Sequence, residues 1–190
     1  KKRKTQNMKR SVVLLAETAA AEAFTVGKTV PAVNMHFGFP PALVNMQERT
    51  AAKKTIIVGM PGAFTPTCHS VHVPSYLENQ DALKERGIDE VFVYCVNDGA
   101  VMTAWAKDQG TEGSMVTFLG DPKLEFTSAI DLVLDQPAVM DVLGNKRCKR
   151  FAMYVEDSVV KVLNVNAAGP DDLEPTLAPG MMKSIDALQK

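Results

Sequence analysis

An α/β domain with a central mixed sheet flanked by helices is predicted by three observations. Short continuous apolar runs alternate with segments of helical periodicity over residues 55–134. Two late apolar runs are joined too closely for anything except a hairpin. The chain of 190 residues, 46% hydrophobic and 23% charged, is long enough to bury one substantial core.

The elements follow in order. "TIIVGM" (55–60) is a continuous apolar run rich in β-branched residues and reads as a strand covered on both faces. "VPSYLENQDALKERG" (73–87) places Val73, Tyr76, Leu77 and Leu83 at helical spacing and stops at Gly87. "EVFVYCV" (90–96) is a second buried strand, so the unit is strand, helix, parallel strand with a right-handed connection. "AVMTAWAKDQG" (100–110) predicts a helix, "MVTFL" (115–119) a strand, and "KLEFTSAIDLVL" (123–134) a further helix. "FAMYVED" and "VVKVLNV" meet around Asp157 and Ser158 as a hairpin, and a last helix runs through "APGMMKSIDALQK". A parallel half, an antiparallel hairpin and a terminal helix make the layout of a thioredoxin-like fold with insertions between the halves. Residues 24–190 are assigned to it.

Residues 1–23 differ in composition, with six Lys/Arg in the first ten positions, then a short apolar run and an Ala-rich tract. An organellar presequence remnant, a leader added for expression and a solvated helical arm all remain open. The formal net charge of −1 gives no reason to expect nucleic acid or a membrane as partner. No apolar run is long enough to span a bilayer. Three cysteines, at 68, 95 and 148, are odd in number, widely spaced and free of Cys-x-x-Cys or zinc spacing. A disulfide framework is therefore not expected, and a reducing intracellular compartment is, cytoplasmic or, if the arm is a presequence remnant, organellar.

Chemistry concentrates in "MPGAFTPTCHSVHVPSY" (60–76), the loop leading out of the first predicted strand. In open α/β sheets working groups lie beyond the carboxyl ends of the strands. Pro61 and Pro66 stiffen the approach, and Cys68 falls in the first turn of a helix. Unpaired backbone N–H groups and the helix dipole favour an anion there. The Thr65 hydroxyl, three residues earlier, can stand beside the sulfur. On the loop alone, an accessible reactive thiolate and a small buried hydrophobe are both open.

The string from Pro61 through Gly62, Phe64 and Thr65 to Cys68 resembles the P-x-x-x-T-x-x-C signature of peroxiredoxins, and "PGAFTPTC" is similar to the type II, or peroxiredoxin-five, group. "HVPSY" (72–76), "VND" (96–98), Trp105, "GDP" (120–122), "DLVLD" (131–135), "GNKRCKRF" (144–151), "LNV" (163–165) and "LAPG" (177–180) extend the resemblance over residues 25–188. It implies a thiol peroxidase, acting on hydrogen peroxide and alkyl hydroperoxides in antioxidant defence. Cys68 is then the peroxidatic nucleophile, Thr65 the hydroxyl that orients the peroxide, and Arg150 the guanidinium that stabilises the thiolate and polarises the O–O bond. Pro61, Gly62 and Phe64 shape the pocket. No metal or organic cofactor is implied. "KRCKR" (146–150) reads by itself as solvated charge, and only the family pattern selects Arg150 over Arg147.

The chain departs from its relatives in the regenerating half of the cycle. Plant-like members carry a second cysteine at the position of Val93, animal-like members at that of Pro175. Cys95, two residues past Val93, shares its strand face, but packing is preferred to a resolving role. Cys148 could be exposed, yet nothing fixes a resolving geometry for it either. The expectation is a one-cysteine cycle with glutathione and glutaredoxin, or thioredoxin, as reductant, in a homodimer joined through "PGAF" and "HVPSY". His69 is expected to be an exposed bystander and His72 to be hydrogen-bonded under the loop. His36 has no partner in view, and no His/Asn arrangement supports a Cys–His hydrolase. The alternative of a different class is a redox-sensing binding module or chaperone on the same scaffold.

Overall fold

The structure, a computed structural model, describes residues 23–166 and 172–188; residues 1–22 of the predicted arm and the last two of the predicted terminal helix lie outside them. In chain order the elements are β1 (Asn34–Phe37), β2 (Ala42–Asn45), α1 (Met46–Thr50), β3 (Lys54–Gly59), a π-helical turn (Cys68–His72), α2 (Val73–Glu78), α3 (Gln80–Glu85), β4 (Glu90–Cys95), α4 (Gly99–Asp108), β5 (Val116–Gly120), α5 (Glu125–Ala129), β6 (Val133–Leu134), α6 (Pro137–Leu143), β7 (Arg147–Cys148), β8 (Phe151–Glu156), β9 (Val159–Val165), a 3₁₀ turn (Glu174–Thr176) and α7 (Ala178–Ala187).

Seven strands form one mixed sheet in the order β2-β1-β5-β4-β3-β8-β9. β3, β4 and β5 are parallel, whereas β8 is antiparallel to β3 and β9 to β8. Alternation along the strands sends Ile56, Val58, Val93, Cys95 and Phe118 to a core beneath α2, α3, α4 and α7. Ile57, Phe92, Tyr94, Leu119 and Met153 face a second core closed by α1 and α5. Both faces are covered, which is why the central strands read as unbroken apolar runs. The β8–β9 hairpin turns on Asp157 (φ 47°) and Ser158 (φ 62°), the two positive φ angles of a type I′ loop.

Two sequence expectations need correction, and one pair of strands went unread. The helix predicted over 73–87 is interrupted at Asn79, whose side-chain amide donates to the Ser75 carbonyl and competes with the helical ladder. The helix predicted over 123–134 ends at Ala129. Asp131 adopts φ 54°, and the following residues instead pair with β7, Val133 opposite Cys148 and Leu134 opposite Arg147. The hairpin of β1 and β2, with α1 behind it, had no counterpart in the sequence reading.

Upstream of α2 the backbone widens. Pro74 has no N–H for the carbonyl four residues back, and its ring would crowd that carbonyl. The chain answers with a π turn, in which the Val73 N–H donates to the Cys68 carbonyl five residues earlier. That turn sits at the carboxyl end of β3. Phe151, the first residue of β8, pairs with Gly59 at the same end, so residues 68 and 150 converge.

Candidate active site

The loop from Met60 to Thr65 is held from two sides. The Ala63 N–H donates to Asn97 Oδ1 at 3.1 Å, and Arg147 Nη1 donates to the same oxygen at 3.3 Å. Arg147 Nη2 reaches the Leu143 carbonyl at 2.8 Å, anchoring the arrangement to α6. Gly62 fits closely here, since a Cβ would stand 3.3 Å from Arg147 Nη1 and 3.2 Å from the Thr65 methyl, and those side chains would have to give by a few tenths of an ångström. Phe64 takes φ 60°, a left-handed conformation costly for an aromatic residue, and is 49% exposed. The Thr65 hydroxyl donates to the Gly62 carbonyl at 2.9 Å, which leaves its lone pairs to accept a bond from another molecule.

Cys68 lies within the first turn, where a helix leaves backbone N–H groups without intrahelical acceptors. Its side chain is wholly buried, so the accessible thiolate of the sequence reading is corrected to an enclosed sulfur. Arg150 Nη2 donates to Cys68 Sγ at 3.3 Å. The β6–β7 pairing and the bond from Lys149 N–H to the Leu132 carbonyl (2.8 Å) fix the strand that delivers this arginine. Arg150 pairs with no carboxylate among the described residues; its second contact is neutral. Nη1 donates to His72 Nδ1 at 2.8 Å, so His72 accepts on Nδ1 and carries its proton on Nε2, which donates to the Thr176 carbonyl at 2.8 Å. Burial, aided by the nearby Arg150 charge, pushes the His72 imidazole down to about 3. His72 is thus neutral at pH 7 and able to accept. The Tyr76 hydroxyl donates to the same Thr176 carbonyl at 2.7 Å.

Of the predicted site residues, Cys68 and Arg150 are in direct contact, and Pro61, Gly62, Phe64 and Thr65 form the loop that leads to them. Cys95 and Cys148 are both fully buried. Burial pushes the Cys95 thiol well up, and it pushes Cys148 up to about 12. The exposure left open for Cys148 is therefore excluded; its sulfur lies 3.1 Å from the Tyr94 hydroxyl in the core on the opposite sheet face from Cys68. His69 is no bystander, because Trp105 Nε1 donates to its Nδ1 at 3.2 Å.

Sequence reasoning placed His72 under the loop but missed that it braces Arg150; it gave Asn97, inside the quoted "VND", no role, and it missed Thr176 altogether. The spacing of His72 from Cys68, one helical turn, was the available signal for the first. The signal for Asn97 was the "VND" motif, and nothing local marks Thr176. Among the described residues no group of three or more His, Cys, Asp or Glu side chains could hold a metal ion, and no helix is long and apolar enough to cross a membrane.

The Redoxin family model matches residues 25–177. Peroxiredoxin-2E, chloroplastic, of Arabidopsis thaliana is 35% identical over 174 residues, covering 88% of this chain and 72% of that protein. The structure of reduced Prx3 in complex with hydrogen peroxide from Vibrio vulnificus superposes with a TM-score of 0.79 at 32% identity, over 87% of this chain and 98% of that one. Peroxiredoxin 5 from Alvinella pompejana gives a TM-score of 0.74 at 29% identity, over 86% and 98% of the two chains.

Proposed function

Since the chain belongs to the Redoxin family and is a peroxiredoxin, a thiol peroxidase with a thioredoxin-like fold, we propose that Cys68 is the nucleophile through which it reduces peroxide. The thiolate sulfur attacks one peroxide oxygen in line, and the O–O bond breaks. The departing oxygen leaves as hydroxide or alkoxide and takes a proton to become water or alcohol, while Cys68 becomes a sulfenic acid. The peroxide gains the two electrons that the sulfur loses. Thr65, with its own proton committed to the Gly62 carbonyl, accepts the peroxide O–H. Arg150 donates toward the charge that develops on the breaking bond. Pro61, Gly62 and Phe64 line the approach.

The observation that carries this reading is the contact of Arg150 with Cys68 at 3.3 Å, braced by His72. The test is peroxide consumption by purified protein in the presence of a thiol reductant. Cys68→Ser is expected to reduce turnover to the uncatalysed background; equal rates in wild type and variant would end the proposal.

For regeneration the cycle uses one cysteine. A thiolate is what attacks a sulfenic acid, and the Cys95 and Cys148 thiols are held protonated in the interior. An external thiol, glutathione with glutaredoxin or else thioredoxin, condenses with the Cys68 sulfenic acid and releases water. A second thiol then cleaves the mixed disulfide. A homodimer forms through the face that carries Phe64 and Val71, which are 49% and 42% exposed beside the site. The working compartment is reducing and intracellular, cytoplasmic or organellar, in keeping with three free thiols and with the chloroplastic relative.

A further inference from the structure

A buried sulfur serves the two halves of the cycle unequally. Hydrogen peroxide, with only two heavy atoms, needs less displacement of the loop to reach Cys68 than a thiol reductant does. A thiol reductant must bring its own sulfur in line with a wholly buried side chain, which requires the turn around Cys68 to open. The backbone offers weak resistance, because the segment is already widened into a π turn ahead of Pro74. Besides Cys68 and His72, which meet Arg150 and Thr176, a third side chain of that turn reaches across to a different element. His69, adjacent to the nucleophile, takes the Trp105 indole N–H on Nδ1 at 3.2 Å, and the Gln109 side-chain amide nitrogen lies 3.0 Å from the same atom. The ring also stacks on Phe64, centroids 6.0 Å apart and planes 24° from parallel. Trp105 is fully buried and edge-on to Phe118 at 5.1 Å. An indole N–H only donates, so Nδ1 carries a lone pair and the ring proton sits on Nε2. Opening the turn withdraws that acceptor from a buried donor, which is the costly way to lose a hydrogen bond.

We propose that His69, held by Trp105, is the latch that sets how fast the Cys68 turn opens to the reductant. It is a positioning residue for the second half-reaction, in which the Cys68 sulfenic acid and an external thiol form a mixed disulfide and water. The inference rests on the external-thiol cycle proposed above.

The test separates the half-reactions in His69→Ser and Trp105→Phe, with sulfenic acid trapped chemically and counted by mass spectrometry. Oxidation by hydrogen peroxide is expected to stay within about twofold of wild type. Reduction of the sulfenic acid by glutathione with glutaredoxin is expected to rise about five- to tenfold, the scale of one neutral hydrogen bond. The double variant should be no faster than either single one, and His69→Asn, which keeps an acceptor near Nδ1, should return the slow rate. Faster opening should also lower the yield of sulfinic acid at a given peroxide dose. Unchanged or slower reduction, oxidation changing in step with reduction, or additive single effects would each overturn the latch. Should oxidation fail in His69→Ser through misfolding, amide hydrogen exchange at 68–73 in Trp105→Phe decides: unaltered exchange overturns the proposal and faster exchange supports it. If no external thiol reduces the wild-type sulfenic acid, the external-thiol cycle fails instead, and the latch with it.

Discussion

At Cys68 the local sequence and the long-range fold contribute different things. Pro61, Thr65 and Cys68 were legible because they lie within eight residues of one another, and Arg150 because the family pattern marks it. What the motif leaves out is the support of the guanidinium. Arg150 has a neutral imidazole behind it in place of a carboxylate, so its charge is not cancelled before it reaches the sulfur. Arg150→Lys should lower the rate constant for sulfenic acid formation about 10²–10³-fold, because an ammonium cannot hold His72 and the sulfur together as a planar fork does. Stopped-flow oxidation of the reduced protein checks this. His72 also makes stability depend on pH. Its folded-state value of about 3 lies below the ordinary 6.5, so the unfolded chain binds the extra proton first as pH falls. This contribution is intact above about pH 6.5 and is lost progressively toward pH 3. Between pH 7 and pH 5 it should cost about 2 kcal/mol, measured by urea unfolding. A His72→Asn variant should lose that dependence.

Elements of secondary structure were legible where one periodicity ran unopposed, and failed where a local polar group intervened. The central strands needed only their unbroken apolar runs. Asn79 and Asp131 broke predicted helices through a side-chain bond and a left-handed backbone, which hydrophobic spacing does not register. The short run after α5 became β6, and its pairing with β7 is what presents Arg147 and leads into Arg150. The terminal helix matters to the site for a similar reason. Gly180 packs so closely on the 3₁₀ turn that any Cβ there would overlap the Glu174 carbonyl oxygen. Gly180→Ala should therefore shift Thr176, whose carbonyl holds both His72 and Tyr76. We expect a loss of about 1–3 kcal/mol in denaturant unfolding, accompanied by slower Cys68 oxidation. Lower stability with an unchanged oxidation rate would show that the turn does not govern the guanidinium.

Across the whole molecule, the two cores keep Cys148 in surroundings separate from those of the other two thiols. Cys68 and Cys95 share the core under α2, α3, α4 and α7, and Cys148 belongs to the other face. Cys95→Ser and Cys148→Ser should each retain multiple turnover with glutathione and glutaredoxin in an NADPH-coupled assay. Loss of turnover in one, with a Cys68-linked disulfide in wild type by mass spectrometry, would replace the one-cysteine cycle. The sheet as a whole was legible from 55 onward and not before. β1 and β2 are four residues each, partly exposed, and β1 meets β5 at a single pair, so neither carries a periodic signal. The Thr176 carbonyl has one more consequence, which concerns time. The ribosome delivers the thiol at residue 68 long before the guanidinium at 150, and delivers the anchor at 176 later still. On the role proposed for Cys68, the nascent chain thus carries an ordinary cysteine until residues 150 and 176 have both emerged and folded against it.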